Sequence, residues 1–236
     1  SWRTVLNIQI ENPSQEQKRY LEAFKASIFS ELVRMNMRLN QYKDVIEDVH
    51  NAARNIEALI AGAKQSLVDY GKALCLYDKA DREDYEEGVR DFSRFIRQEE
   101  KSGSPYWTGE FYVALSEVLD AARKRGLRLR LSPDEWYQAA RGYFLAGQRL
   151  YANYSDSQKE NPAKAGEYFE QARAEYEKAV RVYQQAITAV RAARGDLAAR
   201  LQIEPKCWME MGFCQYRMRN YLETVVALTA LVEQFH

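Results

Sequence analysis

All five prolines of this chain stand where a helix can begin, and between them apolar residues recur at helical spacing with almost no interruption. The positions are Asn12-Pro13, Ser104-Pro105, Ser132-Pro133, Asn161-Pro162 and Glu204-Pro205. Proline's fixed φ suits the first helical position, where a missing N–H costs nothing. In four of the five cases the Asn or Ser before it can accept from an open backbone N–H. Ser132-Pro133-Asp134-Glu135 adds a glutamate at the third helical position, which predicts a capping box. The periodicity predicts helices near 14–39, 42–61, 64–79, 83–100, 105–124, 133–154, 162–194, 205–218 and 221–236. Strand-like alternation is confined to Thr4-Leu6-Ile8-Ile10 and Leu127-Leu129-Leu131, both too short and isolated to build a sheet. The expected fold class is all-α, with about nine helices.

Charge and cysteine usage narrow the function classes. Lys and Arg number 34 and so do Asp and Glu, so no overall field draws nucleic acid or an anionic membrane, and no nucleic-acid partner is expected. Cys75, Cys207 and Cys214 are odd in number and lack a Cys-x-x-Cys spacing, which argues against a disulfide framework or a zinc site and favours a reducing compartment such as the cytoplasm. No apolar run approaches the roughly 20 residues of a membrane span, and no basic-then-apolar leader opens the chain. The start at Ser1 and the stop at Phe235-His236, within a predicted helix, lead us to expect a fragment of a longer protein.

The last thirty residues carry the most specific spacing. Trp208, Met211 and Gly212 share one face of a predicted helix; after a turn at Arg219-Asn220, Tyr221, Thr224, Leu228 and Leu231 share a face of the next. Small residues at Gly212 and Thr224 let two helices cross closely. Looser copies follow Phe29, Leu32 and Val33, in Tyr42, Val45, Val49 and Ala52, and occur again in Tyr85, Gly88, Phe92 and Phe95. In the middle two pairings stay open. Tyr137, Ala140, Phe144 and Gly147 fit a second helix behind Phe111, Ala114, Leu115 and Val118. Equally, Trp136, Ala139, Ala140 and Tyr143 fit a first helix ahead of Phe169, Ala172, Tyr176 and Ala179.

This pattern resembles the tetratricopeptide repeat (TPR). The resemblance implies a right-handed α-solenoid of about four TPR-like hairpins plus one unmatched helix. An N-terminal arm over 1–13 would precede hairpins in 14–104 and in 105–236, the latter including a long helix over 162–194, in one continuous solenoid. It also implies a non-enzymatic scaffold that holds a peptide or an amphipathic helix of another protein, or another domain of the same longer chain, in a concave groove. In that family, first-helix residues beside the packing face line the groove. Carried onto this sequence they are Arg34 and Met37, then Met209, Phe213, Tyr216 and Arg217, and, if Trp136 opens a first helix, Tyr137, Arg141 and Phe144. Members that capture a C-terminal carboxylate use Lys and Asn at such positions, whereas Arg, Met, Tyr and Phe here suit an amphipathic or acidic segment. No catalytic residue, metal or cofactor is expected.

Two other readings compete. Alternating steps of four and three, from Ala165 and Phe169 through Tyr176 and Tyr183 to Val190 and Ala193, make a heptad seam through which a structural subunit could form a homo-oligomer. Two Glu-x-x-His segments, Glu47 to His50 and Glu233 to His236, match half of a ferritin-like di-iron site. The basic run Arg123, Lys124, Arg125, Arg128 and Arg130 reads as a helix C-terminus complementing its dipole and closed by Gly126, with a grip on phosphate or an acidic peptide as its alternative.

Overall fold

A computed structural model describes residues 13–55, 62–102, 104–193 and 197–235, and every regular element among them is an α-helix. In chain order these are α1 (Gln15–Arg38), α2 (Tyr42–Asn55), α3 (Lys64–Leu76), α4 (Arg82–Ser102) and α5 (Pro105–Lys124), followed by α6 (Pro133–Ser157), α7 (Pro162–Ala192), α8 (Leu197–Arg217) and α9 (Tyr221–Phe235). The segment Leu127-Leu129-Leu131 is irregular rather than a strand, and Thr4 to Ile10 lies outside the described residues.

Local chemistry sets most boundaries. Ser132 and Glu135 form the predicted capping box, each side chain bonded to the other's backbone N–H, and Asn161 Oδ1 accepts from Lys164 N at 3.1 Å. Ser104 precedes Pro105 without a side-chain cap, so that start rests on the proline. Pro13 lies outside α1; Ser14 is the N-cap and makes a second capping box with Gln17. Three helices end in the same left-handed device. Asn40 (φ 57°), Gly126 (φ 73°) and Arg219 (φ 65°) each donate to the carbonyl three residues back, while the next residue donates to the one five back, and these turns expose the last carbonyls to bonding.

Pro205 departs from its expected place. It sits inside α8, which begins at Leu197 rather than at 205. Proline there removes one i to i−4 bond, so something else must hold that turn. The holding group is Glu204, fully buried, which accepts from Arg200 Nε at 2.8 Å on its own helix and from Arg191 on α7, with Nε at 2.9 Å.

The helices fall into two compact units, one through Arg128 and one from Leu129. In the first, α3 touches α1, α2, α4 and α5, and α5 also packs on α4, so α5 belongs with the helices before it. Tyr70, Phe92, Phe95 and Phe111 cluster across α3, α4 and α5 with ring centroids 5.7 to 6.4 Å apart, all essentially inaccessible to water. Each such ring contributes about 1.5–3 kcal/mol by burial. In the second unit α6, which carries Trp136, and α7, which carries Phe169, pair along their length, as one of the two open middle pairings has it. Gly147 makes that pairing close, since a Cβ there would stand 2.7 Å from the Tyr176 ring. The heptad seam is used inside the chain, with Ala172, Tyr176, Ala179 and Tyr183 buried. α8 covers α7 and α6, and α9 packs on α8.

Candidate binding surface

Helix α8 has two chemically different sides. Cys207, Glu210, Met211 and Cys214 are buried against the unit. On the opposite side Met209, Phe213 and Tyr216 are 39%, 52% and 55% exposed. Their steps of four and three place them in one stripe, the spacing at which a helix presents anchors. What turns this stripe outward is the grip on Glu210. Its carboxylate accepts from Tyr137 Oη at 3.3 Å, from Arg141 Nη1 at 3.3 Å and, on its other oxygen, from Tyr183 Oη. Arg141 also donates to Tyr137 Oη at 2.9 Å, and Lys206 lies over the Tyr137 ring at 5.7 Å. Burial, reinforced by the Glu210 charge, pushes both tyrosines above their ordinary range, so they stay protonated donors.

The expected groove residues separate into three groups. Met209, Phe213 and Tyr216 are exposed together, with Arg141 half-buried and held by Glu210 across the α6–α8 contact. Arg34, paired with Glu31 at 2.9 Å, and half-buried Met37 lie in the first unit. The remaining three serve packing. Tyr137 is only 6% exposed and is a core residue bonded to Glu210, which corrects its placement in the groove. Phe144 is half-buried 6.0 Å from Tyr176, and Arg217, though exposed, stacks on Tyr151 at 4.6 Å.

A cleft of about 460 Å³ between α3 and α5 was not anticipated. Lys72, Cys75 and Leu76 line one wall and Glu117, Asp120 and Lys124 the other. Arg125 closes it by donating to the carbonyls of Ala80 (3.3 Å) and Cys75 (3.5 Å) while lying over the Tyr85 ring. Part of the basic run thus serves to cap α3 rather than to grip an anion. Burial and the neighbouring Glu117 carboxylate raise the Cys75 thiol to about 11, leaving it protonated and poorly nucleophilic at neutral pH. The sequence signal was the i, i+3, i+7 spacing of 117, 120 and 124, which looks like an ordinary solvated face.

The histidine motif is arranged differently from a metal site. His50 Nδ1 lies 2.7 Å from Asp91 Oδ2 on α4, and the Asp91 carboxylate also accepts from Tyr70 Oη at 3.1 Å. Glu87 Oε2 stands 3.1 Å from Nε2 without hydrogen-bond alignment, so that contact is electrostatic. Glu47, the expected partner, pairs with Lys43 instead at 3.4 Å, and His236 lies outside the described residues. Burial raises the Asp91 carboxyl above its ordinary range against the opposing pull of His50. Among the described residues no three His, Cys, Asp or Glu side chains are grouped to hold a metal, and no helix is long and apolar enough to cross a membrane. Compared with known proteins, the chain matches no family model, no curated protein and no solved structure.

Proposed function

We propose that this protein is a non-enzymatic scaffold, a right-handed solenoid of TPR-like hairpins, that binds a peptide or amphipathic helix of another protein along its first helices. The observation that carries this reading is the exposed stripe Met209, Phe213 and Tyr216 on a helix whose other side is fully packed. Isolated exposed apolar residues are ordinary, but three aligned at helical spacing, two of them aromatic, have the composition of an interface anchor. The pattern of contacts adds support. Alternate helices touch in the first unit, α1 with α3 and α3 with α5, as a stack of hairpins requires.

Replacing Met209 and Phe213 together by Glu tests the reading, because both are exposed and the fold should survive, with a cost on the order of 0.5 kcal/mol or less per site. Quantitative affinity capture from the native source should lose a defined partner with this variant and keep it with Lys159→Glu, an exposed site in the α6–α7 turn. Unchanged circular dichroism with an unchanged set of partners would refute the α8 stripe as the docking surface.

A further inference from the structure

Among the described helices α9 is the most apolar and the least covered. Among its residues only Ala227 is buried, while Leu222, Val225, Val226 and Val232 are 74%, 61%, 60% and 54% exposed. The inner side of α9 is already engaged: Leu228 lies against Gly212, and Gln234 accepts from Arg191 Nη2 at 3.0 Å. On the outer side Leu222, Val225, Thr229 and Val232 follow steps of three, four and three, three apolar residues and one threonine, with Val226 beside them. This is the seam spacing of one helix lying along another, sustained for about three turns. The chain contains its own precedent, since α7 presents Tyr183, Ala186 and Ile187 on a similar spacing and is covered by neighbouring helices.

Charge selects the occupant. The acidic side chains of α9 are Glu223 and Glu233, both exposed, and the helix has no Lys or Arg. The arginines nearest to it are engaged within the unit: Arg217 on the Tyr151 ring, Arg219 on the Phe169 ring and the Tyr154 hydroxyl, Arg191 on Glu204 and Gln234. Two copies of α9 packed together would bring four carboxylates and no cation from α9 to one interface. A helix with cations along its stripe would bring the missing complement.

We propose that the outer face of α9 docks an amphipathic helix of another protein whose apolar stripe is flanked by lysine or arginine. This extends the docking function to a second face and does not depend on the α8 stripe.

The probe is a fluorescein-labelled synthetic helix of about 18 residues, five turns, with leucine at heptad a and d positions and lysine elsewhere, set against the same peptide with glutamate for lysine. Anisotropy with the full chain should show binding of the lysine peptide that weakens with added salt, and at least about tenfold weaker binding of the glutamate peptide. Val225→Lys should reduce lysine-peptide binding by about tenfold or more, whereas Phe213→Ala leaves it unchanged. Glu223→Lys with Glu233→Lys, two exposed sites, should reverse the preference toward the glutamate peptide, which keeps the test decisive should Val225→Lys fail to fold. Equal binding of both peptides, an unaffected Val225→Lys, or no reversal by the double variant overturns the proposal. So does light scattering that finds a dimer released by Val225→Lys, which would make a second copy the occupant. Loss of a natural partner only on substitution of Met209 and Phe213 bears on the α8 surface and is read separately.

Discussion

Both units tie helices together through buried carboxylates, and Asp91 in the first has partners of a different kind from those of Glu204 in the second. In the first, Asp91 on α4 is held by an imidazole from α2 and a phenol from α3. In the second, Glu204 and Glu210, both on α8, are held by guanidinium groups, with Arg191 on α7 and Arg141 on α6. The consequences differ in sign. Burial lifts the Asp91 carboxyl because its partners only partly offset desolvation, whereas hydrogen bonds from Arg191 and Arg200 outweigh the upward pull of burial on Glu204 and leave it below its ordinary range.

The largest expected effect sharpens the second half of that contrast. Glu210→Ala removes the acceptor shared by Tyr137, Tyr183 and Arg141 and leaves two buried hydroxyls without it. The expected cost is about 2–4 kcal/mol, kept below the full value for a buried ion pair because Arg141 is 39% exposed. A fall in melting temperature of only a degree or two would mean the network relaxes onto water. Next, Glu204→Gln should cost about 1–2 kcal/mol near pH 7, as it weakens two bonds from half-exposed arginines beside a proline that has already lost its own. Tyr70→Phe should cost about 0.5–1.5 kcal/mol by removing one donor from Asp91, and urea unfolding at pH 7 measures it.

The smallest effect at neutral pH is the most discriminating. With its folded pKa raised, Asp91 contributes stability that is present below the ordinary aspartate value of about 3.9 and lost as pH rises through the raised folded value. Glu204, with its folded pKa lowered, contributes stability that is present above about 4.3 and lost as pH falls through the folded value. Difference curves of urea midpoint against pH, wild type minus Asp91→Asn and wild type minus Glu204→Gln, should therefore slope in opposite directions on the acid side. Parallel slopes would break the comparison.

Helix starts were the most legible part of the fold because their causes are local. Ser132 and Asn161 cap as their neighbours predict, and Asn40, Gly126 and Arg219 end helices where the turns were expected. Pro205 misled for a physical reason: a local rule places it at a helix start, but Arg191, remote in sequence, binds Glu204 and carries the helix through. The candidate surface was half legible. Met209, Phe213 and Tyr216 are exposed beside the packing face, yet Tyr137 has the same spacing and is buried, since its hydroxyl finds Glu210 across the α6–α8 contact. Tyr221, expected in the packing face of α9, is 60% exposed, and Ala227 takes the inner position.

The sequence by itself determined the helical character of the described residues, most of their helix ends and the balance of acidic and basic charge, because periodicity, capping and composition act within a few residues or over the whole chain at once. Which apolar face becomes core and which stays in water was decided by tertiary structure. The long seam of α7 and the outer stripe of α9 follow the same spacing, and only the placement of the neighbouring helices buries the first and exposes the second. The partners of Asp91, Glu204 and Glu210 were likewise decided there. An ion pair between residues far apart in the chain leaves no local spacing to read, and its strength depends on the water that folding removes.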